Sequence, residues 1–153
     1  MRAEPTSMTR GEAISLTLAG GLLVGLQPAA NAALADHVGD FGAAFISIAV
    51  TFAIAAVVMV IAGQTGRLSG LGSVAPEQLI GGVGGAAVVI ASLIAVRTLG
   101  AGAVVALVVV GQLVISMLVD RLGLFGVHQI GIGPGRLAGL ALVIAGTVLI
   151  TRT

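Results

Sequence analysis

Residues 13–35 and 41–62 contain no Asp, Glu, Lys or Arg. Each run is longer than the roughly 20 apolar residues that cross a hydrocarbon core of about 30 Å as a helix. Three further charge-free runs follow at 79–96, 101–119 and 137–151. The last is the shortest, and Arg136 and Arg152 complete it by snorkelling to opposite interfaces. The pattern predicts an all-α integral membrane bundle of about five transmembrane helices, multi-pass in the cell (inner or plasma) membrane. Composition excludes the soluble alternative. Only 8% of residues are charged and mean hydropathy is +1.18, whereas soluble domains carry about 25% charge.

At 153 residues the chain holds a single membrane domain, 1–153, with residues 1–9 as a flexible N-terminus. A net charge of +1 implies no nucleic-acid partner, and the absence of cysteine removes disulfides, thiolate metal sites and Cys nucleophiles. Asp36, His37 and Asp40 separate the first two spans. The segment 64–78 is the most polar linker, with Pro76-Glu77 suited to the first turn of the third helix. Residues 97–100 form a tight turn between the third and fourth spans. Gly131-Ile132-Gly133-Pro134-Gly135 is too rich in Gly to continue a helix, and Leu122, Leu124, Phe125 and Val127 suit the interface.

Arg10, an apolar run and Ala30-Asn31-Ala32 resemble a cleavable leader, but the run is long for one and Gln27-Pro28 interrupts its end. The run is therefore read as the first span, and Met8 is an alternative start to Met1. With five spans, Arg2, Arg10, Arg67, Arg121 and Arg136 fall on the side of the N-terminus, and Arg97 and Arg152 fall opposite. That bias favours a cytoplasmic N-terminus. It is small enough to permit inverted chains, and a start at Met8 reduces it by one arginine.

Two polar ladders stand out in the spans. Gln27 and Asn31 lie one turn apart on the first helix, and Gln112, Ser116 and Asp120 repeat that spacing on the fourth. Polar groups in lipid are costly unless they face a partner or a cavity. One reading is interhelical hydrogen bonding worth about 0.6 kcal/mol per contact. The other is a substrate path, with Gln27, Asn31, Gln112 and Ser116 as substrate-binding residues. Asp120, Arg121 and Glu12 are candidates for gating or ion pairing, Glu12 standing where it caps the first helix. Ser47 and Thr51 read as bonded back to their own helix. Gly21-xxx-Gly25, Gly81-xxx-Gly85 and Gly135-xxx-Gly139 are spaced for close helix approach.

The resemblance of residues 82–87 to a dinucleotide fingerprint lacks both the preceding strand and the downstream acid that the motif needs. No Asp, Glu or Lys stands mid-span to relay protons, and no Trp or Tyr is present to cage an organic cation. Asp36, His37, Asp40 and His128 could gather a metal, but His128 falls on the opposite side. No catalytic residues, enzyme activity, cofactor or metal is expected.

The stretch Gly25-Leu26-Gln27-Pro28-Ala29-Ala30-Asn31-Ala32-Ala33-Leu34 resembles the first-helix motif of the YdcZ-like (DUF606) branch of the drug/metabolite transporter (DMT) superfamily. Ala106-Leu107-Val108-Val109-Val110-Gly111-Gln112-Leu113, with Ser116, Asp120 and Gly123-Leu124-Phe125-Gly126, is similar to its second hallmark, and the final helix around 139–146 also fits. The resemblance covers residues 10–151. It implies a five-helix unit, half of a DMT-type inverted-repeat transporter. Such a unit would need a homodimer, for which an antiparallel arrangement is one option, or a paired homologous subunit to enclose a path. The expected partners are therefore the lipid bilayer, a second subunit and a small-molecule substrate. The missing central carboxylate departs from the proton-coupled small multidrug exporters of the same superfamily. The expected function is that of a secondary transporter subunit moving a neutral or weakly polar metabolite by alternating access. The alternative is a non-transporting scaffold or accessory subunit.

Overall fold

The computed structural model describes residues 8–152. Met1 and Arg2 lie outside the described residues, as does most of the segment expected to be a flexible N-terminus.

Helix α1 (Arg10–Val38) starts at a capping box. The Glu12 amide donates to the Thr9 hydroxyl at 3.3 Å, and the Thr9 amide donates to the Glu12 carboxylate at 2.8 Å. In lipid every backbone group must be satisfied internally, so the apolar runs propagate as helices until glycine releases them. Gly39, at φ 74° and ψ 165°, is the only residue between α1 and α2 (Asp40–Ile61). The helical segment Ile80–Leu122 is broken in the same manner at Gly100, at φ 75° and ψ 159°. It therefore forms two helices, α3 (80–99) and α4 (101–122). Both glycines occupy a backbone region that side-chain-bearing residues essentially avoid.

The other connections are longer. Two 3₁₀ segments, Thr65–Ser73 and Pro76–Leu79, are joined by the extended Val74 and Ala75, and the chain passes directly from the second into α3. After α4, Gly123 and Phe125 take left-handed conformations, and the loop is tied back where the Ile130 amide donates to the Asp120 carbonyl at 2.9 Å. Helix α5 (Pro134–Thr151) begins with Pro134 in its first turn, shortly before the charge-free run it contains. Five helices are thus present, with no strand among the described residues. The tight turn expected at 97–100 narrows to Gly100 alone.

Alternation of the helices places Gly39, Gly100 and the C-terminus of α5 at one end, called here the hairpin end. Arg97 confirms the juxtaposition, donating to Asp36 at 2.8 Å and approaching Asp40 at 3.8 Å. At the opposite end Arg10, residues 62–79 and the loop after α4 lie together.

Burial is distributed unevenly between these ends. The buried residues are Pro28, Asn31, Ala35, Ala43, Ala44, Leu93, Val96, Ala103, Val104 and Thr147. All but Pro28 and Thr147 fall within about 12 Å of helix from Gly39 or Gly100. Thr147 sits in the last turns of α5, at the same end. The two hairpins are packed where they turn and separate toward the Arg10 end.

The expectation that the Gly-xxx-Gly pairs bring helices together within the chain is not met. A Cβ added at Gly21, Gly25, Gly81, Gly85, Gly135 or Gly139 would meet no atom of the kind that helix packing supplies, out to 4 Å. Close packing is supplied instead by the alanines of the hairpin end.

Candidate functional site: a charge-free cavity at mid-membrane

The separation of the hairpins leaves a cavity of about 630 Å³, within the range of about 300–1,000 Å³ typical of small-molecule sites. Four helices line it: α1 through Gln27, α2 through Ile48 and Thr51, α3 through residues 81–89, and α4 through Gln112. None of its lining residues is charged.

The depth of the site follows from counting along each helix. Gln27 and Thr51 stand equally far before and after Gly39 in the sequence. Val88 and Gln112 stand at that same separation before and after Gly100. At about 1.5 Å per residue, all four lie about 18 Å from the hairpin end, near the middle of a core about 30 Å thick. Two hairpins turning at a common level thus deliver one side chain from each of four helices to one plane.

Local sequence explains the shape. Pro28 lacks the N–H that the Val24 carbonyl would accept, so α1 loses a hydrogen bond beside Gln27. Such a loss is tolerated where it lines protein or a cavity. On α3, Gly81, Gly82, Gly84 and Gly85 present bare backbone, and a Cβ at any of them would meet open space. These glycines make the room.

The candidate residues divide among three places. Gln27 and Gln112 meet in the cavity. Asn31, one turn below Gln27, is buried at 7% exposure in the packed hairpin end. Ser116 lies outside the main cavity, in a second cleft of about 350 Å³ between α4 and α5, with Asp120 and Arg136. A ladder of i, i+4 residues drifts by about 40° per step around a helix of about 3.6 residues per turn. That drift separates Gln112 from Ser116 and Asp120. No side-chain hydrogen bond joins Gln27, Asn31, Gln112 or Ser116 to another described residue.

The candidates for ion pairing also sort out. Asp120 accepts from Arg136 at 3.0 Å, fastening α5 to α4. It does not pair with its sequence neighbour Arg121, whose carbonyl accepts from Gln129 at 2.8 Å. Glu12 forms the cap of α1 and no ion pair among the described residues. No cluster of three or more potential metal ligands exists among the described residues, so Asp36, His37, Asp40 and His128 do not gather. His37 instead places its ring Nδ1 3.1 Å from the Ala33 carbonyl.

Sequence reasoning gave Thr51 and the α3 glycines structural roles and did not place them on a cavity. The Thr51 hydroxyl does donate to the Ser47 carbonyl at 3.0 Å, as its spacing implied, yet the same side chain borders the cavity. The equal separations from Gly39 and Gly100 were the available signal.

Comparison with curated proteins and with solved structures returned no match. A family model described as "Putative inner membrane exporter, YdcZ" matches residues 13–149. That span takes in all four helices of the cavity and nearly all of α5, and it identifies a multi-pass inner membrane protein with a transport role. The chain belongs to the YdcZ family of the drug/metabolite transporter superfamily.

Proposed function

We propose that the chain is a subunit of a secondary transporter that moves a neutral, hydrogen-bonding small metabolite by alternating access through the cavity at Gln27, Thr51 and Gln112. One observation carries the reading. Two amides far apart in sequence, Gln27 and Gln112, converge at mid-membrane on a charge-free space, with their side chains unpaired among the described residues. Amides that served only to hold helices together would be paired with one another, because an amide sealed between helices without a partner costs about 1–3 kcal/mol; these two border open space instead. A bound molecule with both donors and acceptors satisfies them.

The protein works as a dimer in this reading. Its accessible surface is 11,198 Å², against about 7,000 Å² for a compact soluble chain of this mass. Lipid covers part of the excess, and a second copy would wall the cavity where it lies open. An antiparallel arrangement suits the small arginine bias.

The test is uptake into everted inner-membrane vesicles from cells expressing the protein. The probe is a defined mixture of isotope-labelled neutral, cationic and anionic metabolites, read by mass spectrometry. Accumulation of one or more neutral compounds, abolished by Gln112→Ala at unchanged protein level, is the expected result. Accumulation of charged compounds alone would overturn the neutral-substrate assignment. If nothing accumulates and Gln112→Ala disperses the oligomer, the chain is a scaffold.

A further inference from the structure

The packed faces of α1 and α3 do not stop where the packing stops. On α1, Gly21, Gly25, Pro28 and Ala35 follow one stripe at helical spacing. On α3 the corresponding stripe is Gly82, Gly85, Val89, Leu93 and Val96. The lower members, Pro28, Ala35, Leu93 and Val96, are buried. The upper members are glycines facing open space.

Their heights agree as well. Gly21 and Gly25 precede Gly39 by nearly the same separations as Gly82 and Gly85 precede Gly100. Measured from the hairpin end, both pairs lie about 21–27 Å up their helices. The ion pair from Arg97 to Asp36 fixes those two turns beside each other. Pro28 falls at the boundary between packed and open portions, and it is the position where α1 lacks a backbone hydrogen bond.

Resting on the transport reading, we infer that the upper half of α1, residues 10–27, rocks about Pro28 onto α3 and closes the cavity from the Arg10 end. Gly21 and Gly25 then meet Gly82 and Gly85. The described structure is the state open toward the Arg10 end, and the alanine-packed hairpin end is its seal. Closure replaces open space by backbone-to-backbone contact, the geometry in which glycine pairs hold membrane helices. Gln27, beside the hinge, keeps its place on the cavity wall, and the closing half of α1 shuts the space it shares with Gln112 from above.

The chain contains no cysteine, which permits a direct test in native membranes. Gly25→Cys with Gly85→Cys is treated with a short bis-maleimide, beside Leu22→Cys with Val83→Cys as a control at similar height on exposed faces. Nothing lies within 4 Å of a Cβ at Gly25 or Gly85, so the folded state accommodates both substitutions. An intrachain cross-link forming about tenfold faster than the control is expected if the closed state is a minor population. Adding Pro28→Ala, which restores the missing hydrogen bond, is expected to slow it. A cross-link no faster than the control, or one joining two chains, would overturn the closure, and the second would mark these faces as a dimer contact. Indifference to Pro28→Ala would overturn the hinge. The readout involves no flux, so absence of transport in the vesicle assay would remove the transport reading and leave the closure standing.

Discussion

Replacing Gly100 by Ala is the most informative single change to the fold. Gly100 is at φ 75° and ψ 159°, and Gly39 repeats the geometry at φ 74° and ψ 165°. A residue with a Cβ held in that region costs about 1–3 kcal/mol. A Cβ at either position would meet nothing within 4 Å, so none of the cost is steric clash with a neighbour. The control is Gly111→Ala, in the interior of α4 and equally free of neighbours. There the same substitution improves helix propensity and stabilises by about 0.5–1 kcal/mol. The two changes therefore differ by about 1.5–4 kcal/mol in opposite directions. Neither Trp nor Tyr is present to report unfolding by fluorescence, so stability would be read by pulse proteolysis across a titration of SDS into maltoside micelles. Gly39→Ala and Gly100→Ala should each unfold at lower SDS than the parent, and Gly111→Ala at the same or higher. Equal midpoints for Gly100→Ala and Gly111→Ala would refute the claim that one strained glycine makes each hairpin.

Gln27→Leu and Gln112→Leu remove the amides at nearly constant volume. Each should leave the SDS midpoint within about 0.5 kcal/mol of the parent, while lowering vesicle uptake at least about tenfold, as expected for loss of a required hydrogen bond of about 1.5 kcal/mol. Arg97 and Asp36 are half exposed or more, so Arg97→Gln should cost about 0–1 kcal/mol. Asp120 and Arg136 are nearer two-thirds buried, so a double-mutant cycle on that pair should return the larger coupling of the two. Single cysteines at Met8 and Arg152 should each label from both sides of the membrane if the dimer is antiparallel. Labelling of each from one side alone would require a parallel assembly or an inverted partner.

Much of the fold was legible because the membrane reduces the problem to length and charge. Charge-free runs located all five helices, and the sharp breaks at Gly39 and Gly100 coincide with the charged residues Asp36, Asp40 and Arg97 that must reach water. The ends were less legible. Helix α1 extends past its apolar run in both directions, because Thr9 and Glu12 cap it and nothing stops it before Gly39. The lining of the cavity was half legible. Gln27 and Gln112 could be singled out because amides are conspicuous in lipid, but their meeting depends on how two hairpins cross. Ser116 falls in a different cleft from Gln112 because a ladder of i, i+4 residues drifts around the helix. The glycine pairs misled because their spacing announces close approach without saying whether it occurs in this state of the chain.

The central claim is that Gln112 borders a water-filled path and not a helix contact. The most direct measurement is the reaction of a single cysteine at Gln112 with a membrane-impermeant maleimide, applied in turn to each face of sealed vesicles of the otherwise cysteine-free chain. The expected result is labelling through the Arg10 end, about 18 Å of helix above the sealed hairpin end. A cysteine at Val57, exposed on α2 with no part in the cavity, should remain unlabelled in lipid. If Gln112→Cys proves as unreactive as Val57→Cys from both faces, the amides face lipid or protein, and the transport path lies elsewhere.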